Sequence, residues 1–290
     1  MAQVRERLAE NGHNVSVTNA GIRGYATDQA YFRMKEVLDS IDGITHVVYL
    51  LSLNDPLENT TLHFPGRVFG KRASYLDPEG NVGFLSAEFQ TGIWDRAYKF
   101  VGPGAAYGEV PVIETETTGL RQLLGSRLTQ FEGSYLLTLI KITAEQYLGP
   151  ASPQHKDIQS RYPYLKIEYR GRSDGALEPS VDVRWEEDAY PMMLAARLIE
   201  LMAREVGRRG KKFQLALPLT MSKEYIAVIK KLLPDHVAIA DPSDGDLALE
   251  AYRECGGTVT FEYDGHYSPC GHLGQAESIA GALTESLTGQ

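Results

Sequence analysis

Near the C-terminus the chain carries Phe261-Glu262-Tyr263-Asp264-Gly265-His266-Tyr267-Ser268-Pro269-Cys270-Gly271-His272, an acid, two histidines, a thiol and two glycines in one short stretch. An apolar, β-branched run (Thr258 to Phe261) precedes it and a helix-like run (Leu273 to Leu287) follows. The stretch therefore reads as a loop between a strand and a helix, where a rigid scaffold presents chemistry. Asp264 and His266 are two apart, so in an extended loop their side chains point to the same side. A carboxylate beside an imidazole fixes its tautomer and stabilises its protonated form, the pairing that a Ser-His-Asp site uses. A plainer reading stands beside it: a turn with a capping Asp and a buried, hydrogen-bonded His.

Two further loops supply complementary parts. Asn19-Ala20-Gly21-Ile22-Arg23-Gly24-Tyr25 is punctuated by glycine, and Ser52-Leu53-Asn54-Asp55-Pro56 leaves an apolar strand. Gly24 offers a backbone N–H with no side chain in the way, and Asn54 offers its amide. Two such donors make an oxyanion hole for a tetrahedral intermediate of acyl transfer. His266 is then the general base and later the acid, and Asp264 its orienter. The plainer readings are a turn glycine for Gly24 and an Asx-turn before proline for Asn54. A metal site competes: Asp264, His266, Cys270 and His272 form a mixed ligand set of the kind zinc accepts. Cys270 also suits a small buried hydrophobe.

The elements that must position these loops follow from periodicity. Gln3 to Asn11 places Val4 and Leu8 four apart with Gly12 after them, a short helix. Val15 to Asn19 reads as a strand, and Thr27 as the cap of a helix to about Ser40. Thr45 to Leu51 is apolar on both faces, the pattern of a buried parallel strand, with Pro56 ending regular structure. Asn59 to Thr118 is rich in Gly, Pro and aromatics, with a turn signal at Asp77 to Asn81. It reads as an insertion with a small hairpin and long loops. Leu120 to Leu148 reads as a helix, and Gly149 to Val183 as polar and irregular. Alternation then returns: helix Asp188 to Arg209, strand Phe213 to Leu219, helix from Ser222 to Leu233, strand His236 to Ala240, helix Asp246 to Glu254, and the strand from Thr258. This order implies a parallel sheet covered on both faces. Ligands bind outside the carboxyl ends of such strands, where all three loops fall.

The 290 residues suffice for one large domain, and 43% hydrophobic with 23% charged residues is an ordinary globular balance. A net charge of -9 argues against nucleic acid or an anionic membrane as main partner. No run reaches the roughly 18 apolar residues that a spanning helix needs. The N-terminus, Met1 to Arg7, is charged and amphipathic, unlike a signal peptide. Cys255 and Cys270 allow one bridge, which leaves the compartment and localisation open. Nothing in the pattern asks for a cofactor.

Asn19 to Gln29, then Leu53-Asn54-Asp55, then Asp264-Gly265-His266 resemble, in order and spacing, the second, third and fifth blocks of the SGNH (GDSL-type) hydrolases. The resemblance is to bacterial members with a long insertion after the Asn-Asp block. It covers roughly residues 1–60 and 188–290. It implies a flavodoxin-like α/β/α sandwich forming one domain over 1–290, with an insertion over 59–187. It also implies a carboxylic-ester hydrolase acting through an acyl-enzyme on lipid, acetylated-sugar or other small esters. Gly24 and Asn54 match its oxyanion positions, and Asp264 and His266 its acid and base. Two departures stand. The acid lies two residues before the histidine, where many members have three; relatives acting on polysaccharide O-acetyl groups share the shorter spacing. The Gly-Asp-Ser block that carries the nucleophile at the end of the first strand is absent. The first expectation is therefore an incomplete chain or misplaced start lacking an interior strand. A serine-less relative comes second, and recruitment of Ser52 or Ser268 third. The chain as written is expected to have little or no esterase activity. From another class, a catalytically inactive fold that binds an acylated sugar would use the nine aromatics between Phe64 and Tyr107, whose plainer reading is a mini-core under long loops. Oligomeric state is left open.

Overall fold

The computed structural model describes residues 2–22, 24–63, 70–85, 97–101, 112–116, 165–171, 177–183, 190–242, 253–261 and 266–288. In chain order these form α1 (Ala2–Glu10), α2 (Thr27–Ser40), β1 (His46–Leu50), α3 (Asp55–Asn59), β2 (Thr61–His63), β3 (Ala73–Leu76), β4 (Val82–Leu85), β5 (Ala97–Val101) and β6 (Val112–Glu116). There follow β7 (Leu165–Gly171), β8 (Leu177–Val183), α4 (Tyr190–Arg208), β9 (Lys212–Ala216), α5 (Lys223–Leu232), β10 (Ala238–Ala240) and α6 (Pro269–Thr288).

The chain has an α/β architecture around a parallel sheet in the order β1-β9-β10. Val47 pairs with Phe213, Tyr49 with Leu215, and Ile239 with Leu215. Side chains alternate across a strand, so each set of alternate residues meets its own helix layer. Val47, Tyr49, Phe213, Leu215 and Ile239 pack with α2, α4 and α5, through Met34, Leu38, Met202, Ile199 and Ile226 among others. Val48, Ala216 and Ala240 pack with α1 and α6, through Val4, Leu8, Ala276, Ile279 and Leu283. The amphipathic spacing of α4 buries nine residues from Tyr190 to Val206. Each large apolar side chain fully buried there contributes roughly 1.5–3 kcal/mol of transfer free energy.

Five expectations need correcting. The strand expected from Thr258 does not form: among residues 258–261 there is only an isolated antiparallel bridge, Thr260 to Tyr267, outside the parallel sheet, because this stretch pairs with its own return and not with β10. Residues 15–19 form no strand, although Val15 and Val17 pack inward while Ser16 and Thr18 face solvent. The cap of α2 is Ala26, with no side-chain bond, because the Thr27 hydroxyl is engaged by Tyr49 and Asn59. Pro56 does not end regular structure after β1 but sits in the first turn of α3, where its missing N–H has no cost. Residues 165–183, expected to be irregular, contain the antiparallel hairpin β7–β8. The hairpin β3–β4 does form at the turn read from Asp77 to Asn81, closed by Asp77 N–H to Asn81 O at 2.9 Å. It packs through Leu76, Val82 and Phe84 on Tyr190, Leu194 and Leu198 of α4. A second antiparallel sheet has the order β2-β5-β6. The expected helices over 120–148 and most of 246–254 lie outside the described residues. Among the described residues no helix is long and apolar enough to cross a membrane.

Candidate functional site

The loop after β1 divides into a buried and an exposed half. Tyr49 points from β1 into the α2 layer, and its hydroxyl donates to Asp55 Oδ2 at 2.5 Å and accepts from the Thr27 hydroxyl at 3.0 Å. Asp55 Oδ2 also accepts from Ser52 N at 3.0 Å, which folds the loop back over its own carboxylate. Burial pushes the Asp55 carboxyl up to about 7, against the pull of the Tyr49 and Ser52 donors. Burial likewise raises the Tyr49 hydroxyl well above its ordinary value, and the neighbouring Asp55 adds to it.

Asp28, in the first turn of α2, is fully buried. Both of its oxygens accept from Lys71 Nζ, at 3.0 and 2.9 Å. Burial raises the Asp28 carboxyl and the Lys71 ammonium opposes that rise. Asn59 ties the two halves, accepting from Asp28 N at 3.1 Å and donating to Thr27 Oγ1 at 3.3 Å.

The exposed half carries Ser52 and Asn54. Asn54 precedes α3, yet its side chain makes no capping bond. Its oxygen accepts from Ser52 Oγ, and its amide donates to Glu58 Oε1. This is not the Asx-turn that the proline suggested. Gly24 is exposed with φ +75°, and a Cβ there would meet nothing within 4 Å. The residue is glycine for its left-handed backbone, not for space.

The C-terminal stretch reaches the same edge of the sheet. Phe261 N donates to His266 O at 2.9 Å and Ser268 N to Val259 O at 2.9 Å, around a bridge between Thr260 and Tyr267. Tyr267 OH donates to Gln275 Oε1 at 3.0 Å. Gln275 in turn donates to Leu217 O at 3.2 Å and accepts from Leu219 N at 3.1 Å. Leu217 and Leu219 leave the carboxyl end of β9, and β1 lies beside β9 in parallel. His266 is exposed on this stretch, and Asp264 lies outside the described residues.

Three side chains of this stretch take structural places. Cys270 is bonded to Cys255, which removes its thiolate from the four-ligand metal set. Ser268 is buried, its hydroxyl donating to Thr258 O and accepting from Gly271 N, so it holds the loop and is not poised as a nucleophile. His272 stands edge-on to Tyr267 with ring centroids 5.7 Å apart, in the first turn of α6. That helix begins at Pro269, four residues before the expected Leu273. Gly271 is required by close approach, since a Cβ there would collide with Val259 O. Among the described residues no group of three or more His, Cys, Asp or Glu is placed to hold a metal. Of the aromatics considered for sugar stacking, Phe84 lies in the core, stacked on Tyr31 at 5.8 Å and edge-on to Phe32 at 4.8 Å.

The Asp28–Lys71 pair and the Tyr49–Asp55 bond went unread in the sequence. Asp28 lies within Asn19 to Gln29 and Asp55 within Leu53 to Asp55, but nothing in their spacing marks a buried acid. The chain matches no protein-family model, no curated protein and no solved structure, so the chemistry of this edge rests on its residues alone.

Proposed function

We propose that this chain is the scaffold of a carboxylic-ester hydrolase of the SGNH (GDSL-type) kind, with a flavodoxin-like sheet. His266 is the general base, Asp264 orients it, and the Gly24 N–H and the Asn54 amide are the oxyanion donors. The observation that carries this reading is the Tyr267–Gln275–Leu217 tie. It sets the residue after His266 at the carboxyl end of β9, beside the strand whose loop bears Asn54. Ligands of open α/β sheets bind at that edge.

The chemistry follows from those roles. The imidazole takes the proton of a hydroxyl nucleophile as its oxygen bonds the ester carbonyl carbon. The carbonyl oxygen becomes an oxyanion, held by Gly24 N–H and the Asn54 amide, which gives up Glu58 to do so. The imidazolium then passes its proton to the departing alkoxide, and water repeats the cycle on the acyl-enzyme. No Gly-Asp-Ser is present in the sequence to supply the nucleophile, so the chain by itself turns over little or no ester. The Cys255–Cys270 bridge holds both ends of the loop that bears the base, and it favours an oxidising compartment. The substrates are small or carbohydrate esters.

The test is ester turnover by the protein at its native mass, with aryl acetates and acetylated sugars as substrates. His266→Ala is expected to lower turnover by about three orders of magnitude or more with the melting temperature unchanged, since the side chain is exposed. A loss under about tenfold sinks the assignment. The missing Gly-Asp-Ser favours a second reading, an inactive fold that holds an acylated sugar at the same edge. Saturable binding of the sugar ester with no product formed would select it.

A further inference from the structure

We propose that the Cys255–Cys270 bridge is a thiol–disulfide exchange site, attacked at Cys255 by a dithiol reductant, and that its opening releases His266 from the chain segment that now holds it. What the opening regulates rests on the reading of His266 as the base; the exchange itself does not.

Three observations carry it. The first is the unequal setting of the two cysteines. Cys255 is exposed, whereas Cys270 is buried. Gly257 lies against the inner sulfur: a Cβ at that position would stand 2.6 Å from Cys270 Sγ. An incoming thiolate therefore meets Cys255 and is kept from Cys270.

The second is the leaving group. Exchange is faster when the departing thiol is the more acidic one. Cys270 is the second residue of α6, a helix of 20 residues. The partial positive charge at a helix N-terminus favours a thiolate there. Attack at the exposed sulfur thus expels the sulfur better able to carry the negative charge.

The third is what the bridge holds. The cysteines are 15 residues apart, and two limbs of chain run between them. The second limb is fixed without the bridge, because Tyr267 bonds Gln275 and Gln275 bonds Leu217 and Leu219. The first limb, residues 256–261, belongs to no strand of the parallel sheet. None of its residues is buried, and Phe261 is 52% exposed. It opens on Gly256, at φ +68°, and Gly257, a permissive stretch of backbone. Its bonds to the second limb are those of Phe261 N to His266 O, Ser268 N to Val259 O and the Ser268 hydroxyl to Thr258 O. Few buried contacts and exposed backbone bonds mark a segment that opens at low cost. The bridge supplies the tie that such a segment lacks. Once it is open, the bond from Phe261 to His266 O is lost with the limb, and the chain is next held at Tyr267.

The chemistry balances. One thiolate of the dithiol bonds Cys255 Sγ as the bond between the cysteines breaks, and the electron pair leaves on Cys270 Sγ. The second thiolate of the reductant then displaces Cys255 from the mixed disulfide. The reductant closes to its own disulfide, the protein gains two electrons, and the two protons of the dithiol end on the two cysteines.

The test treats the full chain with dithiothreitol in the absence of denaturant, traps thiols with iodoacetamide and counts them by intact mass. Amide hydrogen exchange is read at Phe261 and Ser268, whose N–H groups cross between the limbs, and at residues 212–216 of β9 as the reference. Reduction is expected to go to completion, to speed exchange at Phe261 and Ser268 by about tenfold or more, and to leave β9 unchanged. Oxidised dithiothreitol should restore the slow rates. Cys255→Ser should exchange at the reduced-form rates with or without reductant. Glutathione, a monothiol, should be trapped as a mixed disulfide on Cys255. A bridge that opens only in denaturant, or glutathione trapped on Cys270, overturns the exchange site. Unchanged rates at Phe261 and Ser268 in the reduced chain overturn the release, and so does an equal acceleration in β9, which would make the bridge a staple of the whole fold. Ester turnover enters none of these readouts, so failure of the His266 assignment shows separately, as turnover that survives His266→Ala.

Discussion

Asn54 and Asp55 are adjacent in sequence and opposite in physical situation. Asp55 is buried beneath the loop, bonded by Tyr49 and Ser52, and joined through Thr27 and Asn59 to the Asp28–Lys71 pair. Asn54, Gly24 and His266 stand exposed at the carboxyl edge of the sheet. The buried set is closed upon itself: its polar atoms bond one another and leave little to offer a ligand. The exposed set has donors and a base that solvent or a substrate can reach. So the buried set shapes the loops, and the proposed chemistry falls to the exposed set. Substitutions in the first should move stability, and those in the second should move turnover or binding.

The largest effect expected on the buried side is that of Asp28→Ala. It leaves the Lys71 ammonium, whose side chain is 10% exposed, without its carboxylate. Breaking such a buried pair costs about 3–5 kcal/mol. Replacing both partners, Asp28→Ala with Lys71→Met, should recover most of that loss, because no charge is then left buried. Denaturant unfolding of the single and double variants measures both. A single-variant cost below about 1 kcal/mol would show that water reaches Lys71, and the division into two sets would fail.

The next effect is on pH. Asp55 titrates near 7 in the folded chain against an ordinary 3.8. The folded state therefore holds a proton that the unfolded chain has lost across that interval. Stability contributed by the protonated carboxyl is present below about 4, declines as pH rises toward 7, and is gone above it. The decline is on the order of a few kcal/mol. Asp55→Asn keeps an oxygen for Tyr49 and Ser52 and cannot ionise, so its stability should fall less over the same range. Thermal melts of both forms from pH 4 to 8 decide it; parallel curves would place the titration elsewhere.

The legibility of these regions in the sequence differs for a physical reason. Helices announce themselves locally: Val4 with Leu8 ahead of Gly12 gave α1, and Ser222 gave the start of α5, where it accepts from Tyr225 N. The parallel strands at residues 46 and 212 were readable from apolar runs. Residues 15–19 have the same local pattern and form no strand, because a strand is completed by its neighbour and not by its own residues. The Cys255–Cys270 bridge was allowed but not decided by counting cysteines. Asp28 and Lys71 are 43 residues apart, and only the fold brings them together. Gly24, Asn54 and His266, all three exposed, were singled out from residue type and loop position. Their partners were not: the Glu58 contact of Asn54 and the Gln275 tie of Tyr267 appear only in three dimensions.

The smallest effect is expected at Gly24, where the comparison is most sharply drawn. Its φ of +75° costs an L side chain about 1–2 kcal/mol, and a Cβ meets no atom within 4 Å. Gly24→Ala should thus cost about 1 kcal/mol, through the backbone alone. A D-alanine at the same position, introduced by chemical ligation, suits that backbone and should restore stability or exceed it. If Gly24 N–H is an oxyanion donor, the D-alanine form keeps the donor in place and keeps turnover in the native protein, while the L-alanine form lowers it more than its stability loss explains. Equal turnover in the two forms would leave Gly24 a turn glycine. The oxyanion role would then fall to Asn54 alone.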